Sequence, residues 1–98
     1  NNDNTPYIHL NDYPPNDPKF DNVWQNLQIA RENNIKNILM IGGAGGAYNY
    51  LFSNFDVYYK LLYDVINKYP IDGIDLDIEE PVKLNDVKML IRRIRKDY

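Results

Sequence analysis

Apolar positions along the chain follow two alternating rhythms. Phe20, Val23, Trp24, Leu27 and Ala30 recur at three- and four-residue spacing, which predicts an amphipathic helix. Asp21 is placed to cap it, and Asn33-Asn34 ends it. Ile35 to Ile41 is mostly apolar and predicts a strand of the buried, parallel kind. Gly42-Gly43-Ala44-Gly45-Gly46 breaks that strand. Val57, Tyr58, Leu61, Leu62, Val65, Ile66 and Tyr69 share one side of a second helix, with Ser53 or Asp56 as its cap and Pro70 as its stop. Gly73 to Glu79 is the next strand, closed by Pro81. Leu84, Val87, Leu90, Ile91 and Ile94 form a third helix. Ahead of all these, Tyr7-Ile8-His9-Leu10 is a short candidate strand. It runs into a loop over Asn11 to Pro18, where Pro14, Pro15 and Pro18 remove donors and disfavour helix.

Strand and helix therefore alternate three times. That order predicts right-handed βαβ units and a parallel sheet, an α/β fold. It suits a doubly wound sheet and a (β/α)8 barrel alike. A full barrel takes about 250 residues and eight strands, whereas the 98 residues here supply about three β/α units. One domain, or part of one, is the count expected of residues 1–98.

Composition narrows the partners. The net charge is −3, with no basic run, so neither nucleic acid nor an anionic membrane is expected. No apolar stretch approaches the roughly 20 residues of a membrane span. Asn1-Asn2-Asp3-Asn4 is polar, unlike a signal peptide. The absence of cysteine excludes a disulfide scaffold and a thiolate metal site, and is compatible with a secreted or a cytoplasmic protein.

The chemistry concentrates in Asp72-Gly73-Ile74-Asp75-Leu76-Asp77-Ile78-Glu79. Side chains on a strand alternate, so Gly73, Asp75, Asp77 and Glu79 share one face, and Ile74, Leu76 and Ile78 the other. Neighbouring acids on that face lie ~6.6 Å apart along the strand. Partly desolvated carboxylates that close are expected to share a proton, with at least one pKa raised. A carboxylic acid kept protonated near neutral pH suits general acid catalysis. The same alternation could also arise from a strand with one solvated face, from a hard-cation site, or by chance. A strand between crossover helices is usually covered on both sides, which weighs against a solvated face. A calcium loop wants a central Gly and a distal Glu after about 12 residues, and Asp75 to Glu79 lacks that Gly.

At these residues the sequence resembles glycoside hydrolase family 18, whose signature is Asp-x-x-Asp-x-Asp-x-Glu. Asp72, Asp75, Asp77 and Glu79 fill its four acidic places. A second family element, Ser-x-Gly-Gly at the end of the preceding strand, reads Met40-Ile41-Gly42-Gly43, with Met40 in place of the Ser. The Gly-Gly-Ala-rich turn, the run Asp75-Leu76-Asp77-Ile78-Glu79-Glu80-Pro81, and His9-Leu10-Asn11-Asp12 with Pro14-Pro15 are similar to a subgroup that includes fungal-type endo-β-N-acetylglucosaminidases.

The resemblance covers about Tyr7 to Tyr98 and implies strands two to four of a (β/α)8 TIM barrel. It implies hydrolysis of β-1,4-linked N-acetylglucosamine in chitin or N-glycan cores, with no cofactor and no metal. The substrate's own acetamide is then the nucleophile, the exception to the two-carboxylate rule. Glu79 becomes the general acid, Asp77 the partner of the acetamide, and Asp75 the group that tunes Asp77. Gly42, Gly43 and Tyr48 become substrate contacts, and Asp72, of different parity, a support for the strand. The partners it implies are an N-acetylglucosamine-containing glycan and the remainder of a barrel, in a longer chain or an assembly. A non-catalytic fragment, or a sugar-binding module of the same kind, is the alternative.

Overall fold

The computed structural model describes residues 8–43 and 47–98. Tyr7 and Ala44 to Gly46, for which a strand start and a turn are expected, lie outside the described residues.

Asp17 opens the first helical stretch. Its carboxylate accepts from the Lys19 amide at 2.9 Å and caps a 3₁₀ turn, Pro18–Phe20. That turn leads directly into α1, Asp21–Glu32. The cap thus falls one turn earlier than Asp21, which is instead the first residue of α1, where its charge suits the helix dipole. Asn33 and Asn34 end α1 as expected. Asn34 takes φ +66°, a left-handed conformation that Asn tolerates, and the Asn33 side chain donates to the Ile29 carbonyl at 2.8 Å.

The chain continues through β1 (Ile38–Gly43), α2 (Ala47–Ser53), α3 (Phe55–Lys68), β2 (Gly73–Ile78) and α4 (Leu84–Asp97). The strands pair in parallel, from Ile38 opposite Gly73 to Gly43 opposite Ile78. Strand β1 starts three residues later than its apolar run. The Ile35 amide donates back to the Ala30 carbonyl and so closes α1 instead of entering the sheet. Asn37 is buried and also committed elsewhere, its side chain donating to the carbonyls of Leu27 and Pro70. Helix α2 was not visible in the pattern, and α3 begins after Asn54 rather than from a Ser53 or Asp56 cap.

The first expected strand does not form in the described residues. Leu10 makes only an isolated antiparallel bridge to Tyr13. Their amides and carbonyls satisfy each other around Asn11, at φ +55°, which leaves Leu10 nothing to offer the β1 edge. The sheet described here therefore has two strands.

Helices cover one face of that sheet. Ile41, Leu76 and Ile78 pack against buried Tyr48, Leu51, Tyr59 and Leu90. Leu39 and Ile74 pack against Leu62, Ile66 and Ile71. Helix α4 is fastened to α3 by polar groups too: the Tyr59 hydroxyl donates to the Asp97 carboxylate at 2.7 Å. Trp24 stacks on Tyr69, with ring centroids 4.1 Å apart, and its indole donates to the Pro15 carbonyl. Among the described residues nothing covers the opposite face, and Ile38 and Met40 on it are 57% and 58% exposed. Among the described residues no helix is long and apolar enough to cross a membrane.

Candidate active site

The uncovered face carries the acids. The ladder sets Asp75 opposite Met40 and Asp77 opposite Gly42. Asp75 is exposed and Asp77 half-buried. Glu79 is exposed and stands one residue beyond the end of β2. The strand's period of two therefore brings Asp75 and Asp77 to one side, near its carboxyl end, with Glu79 following. Parallel α/β folds place their reactive groups at that end of the strands.

Gly42 and Gly43 end β1 beside these acids. Gly42 has φ +108°, which favours glycine. A Cβ there would run into the Asp77 carbonyl oxygen and would come within 2.6 Å of the Tyr48 ring. The close approach of β1 to the acidic strand thus depends on the missing side chain. Gly43 faces Ile78 across the last pair of the ladder.

Tyr48 is placed differently from the substrate contact expected of it. It is wholly buried, and its hydroxyl donates to the Ile41 carbonyl at 2.6 Å. Burial, and then the Asp77 carboxylate, push its phenol up to about 12. With no ring face in solvent it packs beneath Gly42, and the exposed aromatic of this stretch is Tyr50.

Asp72 stands at the other end of β2. Its carboxylate accepts from the Asn37 amide at 2.9 Å and from the Arg31 guanidinium at 3.0 Å. The Asn37 amide first, and Arg31 after it, hold this carboxyl below the usual carboxylate range. The arrangement joins the end of α1, the start of β1 and the start of β2.

Glu80 is the residue that sequence reasoning passed over. It is half-buried, and its carboxylate accepts from the Tyr48 amide at 2.6 Å and from the Asn49 backbone and side-chain amides at 3.2 and 2.6 Å. The only trace of this in the sequence is a second acid before Pro81, since its donors lie more than 30 residues away.

A cleft of about 610 Å³ opens between the Ile8 to Asn11 segment, β1 and α3, with Trp24, Leu39 and Leu62 among its lining. None of the acids of β2 lines it. Among the described residues no group of three or more His, Cys, Asp or Glu is arranged to hold a metal ion.

No family model matches the chain, and neither does any curated protein. Two solved structures do match. One is a chitinase, ChiC, from Aspergillus fumigatus, with a TM-score of 0.83 and 32% identity over 89% of this chain. The other is a fungal endo-β-N-acetylglucosaminidase from glycosyl hydrolase family 18, with a TM-score of 0.82 and 30% identity over 95% of this chain. The chain spans 33% and 35% of the lengths of these two enzymes. In fold and sequence together, the chain is thus similar to about a third of each of these two enzymes, one of them a member of glycosyl hydrolase family 18.

Proposed function

We propose that the chain carries the acids of a hydrolase that cleaves β-1,4-linked N-acetylglucosamine, in chitin or in the chitobiose core of N-glycans. The observation that carries this reading is the row Asp75, Asp77, Glu79 at the carboxyl end of a parallel strand, on a face that no helix among the described residues covers. The likeness to a chitinase and an endo-β-N-acetylglucosaminidase supports the sugar.

In this mechanism Glu79 protonates the leaving glycosidic oxygen. The oxygen of the substrate's own 2-acetamido group attacks the anomeric carbon and forms an oxazolinium ion. Asp77 orients that acetamide and stabilises its developing positive charge, and Asp75 tunes Asp77. Glu79 then takes a proton from the water that opens the ring, which restores the original anomeric configuration. Gly42 and Gly43 let the rim of the site approach the sugar closely. Asp72 supports the base of the strand from outside the chemistry. The chain stands for about three of eight β/α units of a TIM barrel, with Ile8 to Leu10 in the place of the strand before β1. The remaining strands, in a longer chain or an assembly, close the site around the sugar.

The test is product stereochemistry. An N-acetylglucosamine tetramer is incubated with the protein that holds the whole barrel, and the first-formed reducing end is followed by proton NMR. The β anomer is expected first. Release of the α anomer first, or no cleavage, overturns the reading.

A second reading is a sugar-binding module without turnover. The exposure of Ile38 and Met40 on the acidic face favours it, because that surface excludes no water by itself. Binding of the tetramer without cleavage is its signature.

A further inference from the structure

Glu79 is the first residue beyond the ladder, whose last pair is Gly43 and Ile78. Among the described residues no strand partner holds its backbone. Its exposed carboxyl makes no hydrogen bond or ion pair among the described residues. A catalytic acid needs placing to within about 0.5 Å, and that precision has to come from its neighbours.

The next residue supplies an anchor. Both carboxylate oxygens of Glu80 are engaged, Oε1 by the Tyr48 amide and Oε2 by the two amides of Asn49. Such charge-assisted bonds are short and strong. Pro81 restricts the backbone of Glu80 to extended conformations, which stiffens the same joint. The far side of the anchor is itself fixed. Tyr48 is fully buried, and its hydroxyl returns to the Ile41 carbonyl within β1. Glu79 is therefore bracketed by two held points, Ile78 in the sheet and Glu80 on α2.

We propose that Glu80 is a positioning residue for Glu79, and that its carboxylate latches the end of β2 to the start of α2 and so sets where the Glu79 side chain stands. The catalytic consequence rests on the reading of Glu79 as the general acid. The latch itself is measurable without turnover. A mere cap on α2 stabilises that helix and leaves Glu79 as it was.

The experiment compares the 98-residue chain with Glu80→Ala, Glu80→Gln and Asn49→Ala by ¹⁵N relaxation. In the parent chain the Glu79 amide is expected near the rigid limit, with an order parameter of about 0.85. In Glu80→Ala it falls below about 0.6, while Leu39 to Ile41 and Ile74 to Leu76 stay rigid. Glu80→Gln falls between the two, because its oxygen still accepts one amide while its NH₂ meets the remaining donors. Asn49→Ala removes one exposed side-chain donor, and it decides the matter if Glu80→Ala does not fold. In the protein that holds the whole barrel, cleavage of the N-acetylglucosamine tetramer by Glu80→Ala loses about 10²-fold in kcat with KM nearly unchanged, and Glu80→Gln recovers part of the loss. A lower Tm with Glu79 as rigid as before, in Glu80→Gln and Asn49→Ala alike, overturns the proposal. Absence of turnover in the protein that holds the whole barrel sinks the hydrolase reading alone, because order at Glu79 still decides the role of Glu80.

Discussion

Gly42 lies opposite Asp77 in the parallel ladder, and the backbone of Asp77 occupies the space a Gly42 side chain would need. The same point in space is closed from below by the Tyr48 ring. Gly42 also holds φ +108°. Gly42→Ala is therefore expected to cost about 3 kcal/mol, from backbone strain and from the separation of β1 and β2 at the acidic end. Urea unfolding measures it. A change below about 0.5 kcal/mol would show that the strands are not in contact here.

Asp72 gives stability a dependence on acid. Its folded carboxyl ionises more readily than an ordinary one, chiefly because the Asn37 amide, and then Arg31, favour the charged form. The contribution is thus complete above the ordinary aspartate pKa of about 4 and fades as pH falls below it. Asp72→Asn is expected to be less stable at pH 7 and to lose less on acidification. Urea midpoints between pH 6 and pH 2 compare the two slopes, and parallel slopes would contradict the assignment.

Tyr48 acts in the alkaline range. Its phenol is pushed up to about 12, by burial first and the Asp77 carboxylate second. The folded state thus favours the neutral hydroxyl. The stability it lends is complete below the ordinary tyrosine pKa of about 10 and drains away as pH rises toward 12. Tyr48→Phe is expected to cost about 1 kcal/mol at pH 7 through the lost bond to Ile41. It is also expected to flatten part of the alkaline decline. Tyr59 and Tyr98, also raised, keep the rest. An unchanged alkaline slope in Tyr48→Phe would exclude Tyr48 as its source.

The strand Gly73 to Ile78 and helix α4 were legible because each obeys a single period. On β2 every second residue is acidic or glycine, and that row emerges on the uncovered face. Elements that depend on distant partners were not legible. The start of β1 is delayed because Ile35 and Asn37 spend their amides on α1, Leu27, Pro70 and Asp72. Helix α2 has seven residues, too few to show a period, and the carboxylate at its N-terminus comes from Glu80. Ile8 to Leu10 has the composition of a strand, but composition does not supply a partner, and Leu10 bridges to Tyr13 instead. Tyr48 follows a strand's end, as a sugar-stacking ring does. Only its burial reveals that it packs under Gly42.

Hydrolysis by Glu79→Gln measures the chemistry most directly. The change keeps the shape of the side chain and removes its titratable proton. Cleavage of an N-acetylglucosamine tetramer by the protein that holds the whole barrel, followed by mass spectrometry, is expected to fall at least about 10²-fold in this variant, with tetramer binding retained. Equal rates in Glu79→Gln and its parent would show that Glu79 is not the acid and that the row Asp75, Asp77, Glu79 does not carry the reaction.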